Sequence, residues 1–304
     1  MRAPTGGAPW LDNARGLCHA RAPTQATCHA CNCKCGAAGR MRTGLACRVH
    51  QQLRVDASVD TLLVNPPAGL PWELGAFRIL AECRGAGGDK SGDFYACRLR
   101  GPKRLAGVIG DACGRGDEGA SLLPSVLRRV EELAGMWVQP SHLLQDLNRL
   151  MAAELPLDRF VTAAAFELDA QAGTLTVSNA GHVPIVVRRA SGIVHVVGRA
   201  SGPPLGILGD STYFNETCRL GRGDVVVLMT DGILEAIETD LAEMPRVTAI
   251  VGATKGNSGD VHRSLLAQLA MKDIEQRADD TTLVSLELLA EPTRSRRPNL
   301  HPTV

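Results

Sequence analysis

Gly223-Asp224-Val225-Val226-Val227-Leu228-Met229-Thr230-Asp231-Gly232-Ile233-Leu234-Glu235-Ala236 is the stretch that decides the fold. Val225 to Met229 is an unbroken apolar run of strand length, so it reads as a strand buried on both faces. It opens at once onto an acidic turn, Asp231-Gly232. Three other places repeat that design. Gly92-Asp93 precedes Phe94-Tyr95, Gly110-Asp111 follows Ala106-Gly107-Val108-Ile109, and Asp279-Asp280 precedes Thr281-Thr282-Leu283-Val284. A carboxylate at a strand end is held rigidly yet reaches the rim of its sheet. Hard divalent cations take carboxylate oxygens, backbone carbonyls and water. An adjacent glycine lets the backbone bend so that a carbonyl can join them. Any one Gly-Asp pair is an ordinary turn. Four such acidic sites, three of them with an adjacent glycine and each beside an apolar strand, point to a shared cation site, because converging carboxylates repel one another without one.

Outward from these sites the chain alternates in short blocks. Strands are expected over Phe77 to Cys83, Phe94 to Leu99 and Leu105 to Ile109. A helix is expected from about Ala120 to Ala134, with Leu123, Val126, Leu127, Val130 and Leu133 on one face; Pro124 suits it only within a first turn. A second helix follows Pro140-Ser141, with Ser141 as the candidate N-cap and Leu143, Leu144, Leu147, Leu150 and Met151 apolar. Two hairpins come next, Phe160 to Leu168 with Thr174 to Ser178, and Val183 to Arg189 with Ile193 to Val197. A helix over Val261 to Met271 and a strand over Leu283 to Leu288 close the pattern. Hairpins with helices grouped between them argue for an α+β protein, antiparallel sheets covered by helices.

The 304 residues suit one large domain, or one domain with a small appendage. With 44% hydrophobic and 21% charged residues the composition is that of a globular protein. The net charge of +1 provides no electrostatic footprint for nucleic acid or an anionic membrane. No apolar run reaches bilayer length and no secretory signal opens the chain, so a soluble cytoplasmic protein is expected. Residues 1–60, rich in Ala, Arg, Gly, Cys and Pro, read as a poorly structured Cys-rich leader, and residues 291–304 as a polar, Pro-rich tail. Cys28-His29-Ala30-Cys31-Asn32-Cys33-Lys34-Cys35 is dense enough for a thiolate metal site, but its spacing is not that of paired C-x-x-C ligands. Met41 is an alternative start. Cys83, Cys97, Cys113 and Cys218 are expected to be free thiols.

Six segments in order carry a resemblance: GGDKSGDFY, VIGDACGRG, DRFVTAAAFELDAQAGTLTVSNAGHVP, GPPLGIL, GDVVVLMTDGILEA and ADDTTLV. Together they resemble the bacterial, SpoIIE/RsbU-like branch of the metal-dependent protein phosphatases (PPM). The likeness covers residues 66–290 and implies an α-β-β-α sandwich of two antiparallel sheets flanked by helices. It implies that Asp93, Asp111, Asp231 and Asp279 are metal ligands, that Asp111 bridges two divalent cations (Mn2+ or Mg2+), and that the Ala112 carbonyl adds a ligand. Asp89 also follows a glycine; the aromatic pair after Asp93 and the strand–turn–strand distance to Asp111 favour Asp93. Ala96 and Cys113 depart from the family pattern, which often has Asp and Ser there.

The implied reaction is hydrolysis of phosphoserine or phosphothreonine on a phosphoprotein, with a phosphorylated STAS-domain protein as substrate. Asp111 and Asp231 are then the core of the catalytic site. His182, in Asn179-Ala180-Gly181-His182, is a candidate proton donor to the leaving serine oxygen, or else a residue that shapes the rim. No basic substrate clamp stands out, since Arg98, Arg100, Lys103 and Arg104 fit a solvated hairpin face equally well. Rival readings are a catalytically weak phosphatase-fold binding module, a small-phosphoester hydrolase, and a zinc nucleic-acid module in the leader.

Overall fold

The computed structural model describes residues 53–54, 62–64, 71–85, 91–114, 117–136, 139–237, 244–270 and 279–289. The Cys28–Cys35 segment, Met41, Asp89 and the 291–304 tail lie outside the described residues.

Two sheets face each other. One has seven strands in the spatial order β1 (Leu53–Arg54), β3 (Trp72–Leu74), β4 (Phe77–Arg84), β13 (Thr281–Leu288), β12 (Val225–Met229), β9 (Ile185–Arg188) and β10 (Val194–Val197). The other has six: β11 (Glu216–Arg219), β8 (Thr174–Ala180), β7 (Val161–Asp169), β6 (Arg104–Ala112), β5 (Asp93–Leu99) and β2 (Leu62–Val64). Every pairing is antiparallel except β1 with β3. Helices α1 (Asp117–Leu133) and α2 (Pro140–Glu154) cover the six-stranded sheet. Helices α3 (Asp231–Ile237), α4 (Pro245–Ala253) and α5 (Ser258–Ala270) cover the other. This is the expected α-β-β-α sandwich.

Period-two alternation sorts each strand between two cores. Phe77, Ile79, Tyr95, Cys97, Leu105, Ile109, Phe166, Val226, Leu228, Val284 and Leu286 meet between the sheets. Phe94, Ala96, Ala106, Val108 and Ala165 lie under α1 and α2, while Val225, Val227 and Met229 lie under the other helices. The apolar run of β12 is therefore buried on both faces, as its composition predicts. Central strand β6 carries two glycines because aromatic rings of its paired neighbours occupy their space: the Phe166 ring at Gly107 and the Phe94 ring at Gly110.

Several local expectations need correction. β6 runs past the expected end at Ile109 to Ala112, so Asp111 stands within the strand, at its end. Pro124 lies in the interior of α1, not in its first turn. It sits on the exposed face, where the Ala120 carbonyl that loses its N–H partner can turn to water. Ser141 is not the cap of α2; Gln139 holds that position and Pro140 follows it. The cap bond comes from a distant loop, since the Ser141 N–H donates to Asn215 Oδ1 at 2.9 Å and Asn215 Nδ2 donates to Gln139 Oε1 at 3.0 Å. Asn215→Ala should therefore lower stability by about 1 kcal/mol in urea denaturation, and Ser141→Ala by less. Helices α3 and α4 were not expected between Met229 and Val261. They are too short to show a helical period, and α4 forms because Val247 and Val251 bury against the sheet. Among the described residues, no helix is long and apolar enough to cross a membrane.

Candidate active site at the seam of the two sheets

Asp93 and Asp111 are direct cross-strand partners, and Asp111 is in turn opposite Thr162 on β7. By strand alternation their side chains share the face of Tyr95 and Ile109, the face turned toward the other sheet. That other sheet brings Thr230 at the end of β12, Asp231 at the start of α3, and Asp279, Asp280 and Thr282 at the start of β13. The acidic residues therefore meet at one end of the space between the sheets.

Cross-sheet hydrogen bonds hold this seam. Thr230 Oγ1 donates to Asp93 Oδ2 at 2.7 Å and accepts the Thr282 N–H at 2.9 Å. The Gly92 N–H donates to Asp280 Oδ2 at 2.6 Å. The Ala112 N–H donates to the Gly92 carbonyl at 3.1 Å, which ties the Ala112 peptide to the same clamp. Asp279 Oδ1 accepts the Asp280 N–H at 2.9 Å. Glycines make the close approaches possible. A Cβ on Gly92 would lie 2.9 Å from the Ala112 carbonyl oxygen and 3.3 Å from Asp111 Oδ1, and one on Gly119 would lie 2.8 Å from that same carbonyl. A Cβ on Gly232 would run into the Asp280 carbonyl oxygen.

The electrostatics are those of crowded carboxylates. Burial pushes Asp111 up to about 8, and Asp93, Asp231, Asp279 and Asp280 push it the same way. Burial likewise raises Asp93 to about 7, against the hydroxyls of Thr230 and Thr282, which favour its charged form. Asp231 is raised by burial first, then by Asp279 and Glu235. Asp93 is only 1% exposed, and its Oδ1 is buried without a hydrogen-bond partner.

This donor set fits hard divalent cations: oxygen atoms only, an orphaned buried carboxylate oxygen, and a carbonyl kept uncovered by two glycines. Among the described residues, no three carboxylate, imidazole or thiol side chains already lie close enough together to hold an ion. The Ala112 carbonyl and water would have to complete the coordination.

His182 has a different setting from the one its motif suggests. Asn179 closes the turn around it: Asn179 Oδ1 accepts the His182 N–H at 2.7 Å, and Asn179 Nδ2 donates to the His182 carbonyl at 2.9 Å and to the Gly198 carbonyl at 2.7 Å. The imidazole is buried, with Nδ1 2.8 Å from Thr162 Oγ1. Burial pushes its pKa down to about 4, so the ring is neutral at pH 7. Arg100 and Arg104 pair with Glu167 and Asp169 at the opposite end of β6 from Asp111.

Sequence reasoning missed the partners of the aspartates: Thr162, Thr230 and Thr282, and the clamping contact of Asp280. One signal was available. Thr162, Thr230 and Thr282 fall on inward-facing positions, where a polar side chain among apolar neighbours needs a stated partner.

Comparisons with known proteins agree with this fold. RsbU of Bacillus subtilis, named a phosphoserine phosphatase, is 23% identical over 247 residues, covering 80% of this chain and 72% of RsbU. IcfG of Synechocystis is 28% identical over 174 residues, 48% of this chain, and the matched part is 27% of that longer protein. Among solved structures, the PP2C phosphatase domain of SpoIIE from Bacillus subtilis, with a fragment of its regulatory domain, superposes with a TM-score of 0.61 at 20% identity. That match covers 69% of this chain and 63% of the SpoIIE chain. The family model described as Stage II sporulation protein E matches residues 101–289, and the chain belongs to this SpoIIE family of PP2C-type phosphatases.

Proposed function

We propose that the chain hydrolyses phosphoserine or phosphothreonine on a phosphoprotein, with Asp93, Asp111, Asp231, Asp279 and the Ala112 carbonyl holding two divalent cations, Mn2+ or Mg2+. The observation that carries this reading is the meeting of these carboxylates at the seam, where burial first and neighbouring carboxylates next raise Asp93, Asp111 and Asp231. Such a cluster is stable with both charges and geometry intact only when cations offset the repulsion. When bound, the cations would lower the pKa of a water and neutralise the phosphoryl oxygens. The chain's own residues do the rest. Asp111, the cross-strand partner of Asp93, would be a ligand to both cations. Thr230 aims Asp93, and Asp280 holds the Gly92 backbone that in turn accepts the Ala112 N–H.

His182 is neutral and buried, so in this reading it orients Thr162 beside Asp111, and water supplies the proton for the leaving serine oxygen. The substrate is expected to be a phosphorylated STAS-domain protein in a bacterial signalling route that controls a sigma factor. RsbU, named a phosphoserine phosphatase, supports hydrolysis of phosphoserine.

The test is hydrolysis of p-nitrophenyl phosphate by the full chain with and without Mn2+, beside Asp231→Asn. Manganese-dependent turnover that falls by roughly 100-fold or more in the variant supports the reading. A folded chain that turns nothing over with any divalent cation, or a fully active Asp231→Asn, removes it.

A further inference from the structure

Of the six large apolar side chains that stand exposed among the described residues, three belong to two neighbouring segments: Leu157, Ile207 and Leu208. Leu157 is fully exposed, in the turn that follows α2. The segments that carry them run side by side. Val161 and Leu205 exchange both backbone hydrogen bonds, at 3.0 and 2.8 Å, as an antiparallel bridge. One step further along, a Cβ on Gly206 would lie 3.1 Å from Leu155 Cδ1 and 3.6 Å from the Arg159 carbonyl. Helix α2 pins this surface in place: Asn148 Nδ2 donates to the Leu208 carbonyl at 2.6 Å, and the Gly206 N–H donates to Asn148 Oδ1 at 3.0 Å. Three exposed apolar side chains on a backbone held this firmly are a preorganised surface.

Arg159 joins that surface to the carboxylate seam. Its Nη1 lies 3.1 Å from where a Cβ on Gly114 would stand, and Gly114 is in the turn that leaves Asp111 and Ala112. Cys113 and Phe160 lock this junction, the Cys113 N–H donating to the Phe160 carbonyl at 3.0 Å and the Phe160 N–H to Cys113 Sγ at 3.2 Å. Nη1 is 3.4 Å from Glu118 Oε2, and the neighbouring Gly119 packs on Gly92 and the Ala112 carbonyl. The other carboxylate near the guanidinium is Asp158, at 3.9 Å. Both acids are largely exposed, so these pairs are weak and exchangeable. A phosphoryl dianion, which a guanidinium grips with two parallel hydrogen bonds, is a stronger partner than either.

Resting on the phosphatase reading above, we propose that Leu157, Arg159, Ile207 and Leu208 form the docking ledge for the phosphoserine-bearing segment of the protein substrate. Arg159 takes the phosphoryl charge, and the three aliphatic residues take an apolar side chain next to the phosphoserine. The occupant follows from charge complementarity at Arg159 and from the continuity of the ledge with the carboxylate seam. Such a ledge separates a phosphoprotein from a small phosphoester, which the metal site alone does not.

The experiment measures binding, so it is read independently of turnover. Two fluorescein-labelled peptides carry the non-hydrolysable phosphonate analogue of phosphoserine and differ only in having Leu or Ser beside it. Their affinities for the full chain in Mn2+ are compared by anisotropy. The Leu peptide is expected to bind about tenfold more tightly, within the range of one buried aliphatic side chain. The double variant Leu157→Ser, Ile207→Ser should erase that difference. Arg159→Ala should weaken both peptides about tenfold, with Arg159→Lys recovering part of the loss. A wild-type chain that does not distinguish the peptides, a double variant that still does, or an Arg159→Ala chain that binds the phosphonate as tightly as wild type, overturns the proposal. The phosphatase reading itself stands or falls on p-nitrophenyl phosphate turnover.

Discussion

Asp111→Asn is expected to lower phosphoester turnover by roughly 100-fold to 1,000-fold while making the metal-free protein more stable. The two effects share one cause. Burial and four neighbouring carboxylates raise Asp111 from the ordinary value of 3.8 to about 8. A carboxyl whose folded-state pKa is raised binds more protons folded than unfolded, so stability falls as pH climbs from about 4 to about 8. Metal-free wild type should lose stability across that window, and Asn, with no proton to lose at this position, should lose less, since Asp93 and Asp231 still titrate. By pH 8 the variant should melt about 5 °C or more above wild type, a difference of a few kcal/mol that shrinks towards pH 4. Saturating Mn2+ should reverse the order, because mass action stabilises the chain that binds the ion. Thermal melts from pH 4 to 8, with EDTA or with Mn2+, check both statements. A variant less stable than wild type at pH 8 in EDTA would show that Asp111 is not held against repulsion.

Gly232→Ala is expected to be the most damaging single-methyl change at the site. The new Cβ would meet the Asp280 carbonyl oxygen, which is backbone in the segment that clamps Gly92 and leads into β13. Relief requires α3 to lift or β13 to shift, and either motion separates Asp231 from Asp279. Destabilisation of about 2–3 kcal/mol is expected together with near-complete loss of turnover. Gly101→Ala is the control. That glycine has φ +72 and nothing within 4 Å of an added Cβ. Its cost should be limited to roughly 1 kcal/mol of backbone strain, with turnover retained. Urea denaturation and p-nitrophenyl phosphate assays on both variants separate the collision from the strain.

The architecture was legible because it rests on local signals. β12 begins and ends where its apolar run does, the hairpins follow their turn residues, and the acidic positions stand out beside them. What escaped depends on how distant segments meet. Nothing near Asn215 in sequence announces that it caps α2, and nothing near Thr230 announces Asp93 as its partner. Arg159 was overlooked for the same reason, while Arg100 and Arg104 drew attention by clustering in sequence and lie at the far end of their strand. Short helices such as α3 lack the length to declare a period. His182 was visible as a residue type, but its burial against Thr162 was not.

β13 is the last of the described strands in the chain, yet it lies in the middle of its sheet, between β4 and β12. It also leads in with Asp279 and Asp280. During synthesis, then, no growing chain can close the seven-stranded sheet or assemble the acidic cluster until β13 has emerged. Until that moment β4 and β12 have open edges facing each other across a gap, a state that invites pairing with other chains. The protein becomes competent in one late step, and a ribosome that stops short of residue 279 releases a product with an incomplete site and an unsealed sheet. Premature stops should therefore yield aggregates rather than weakly active fragments.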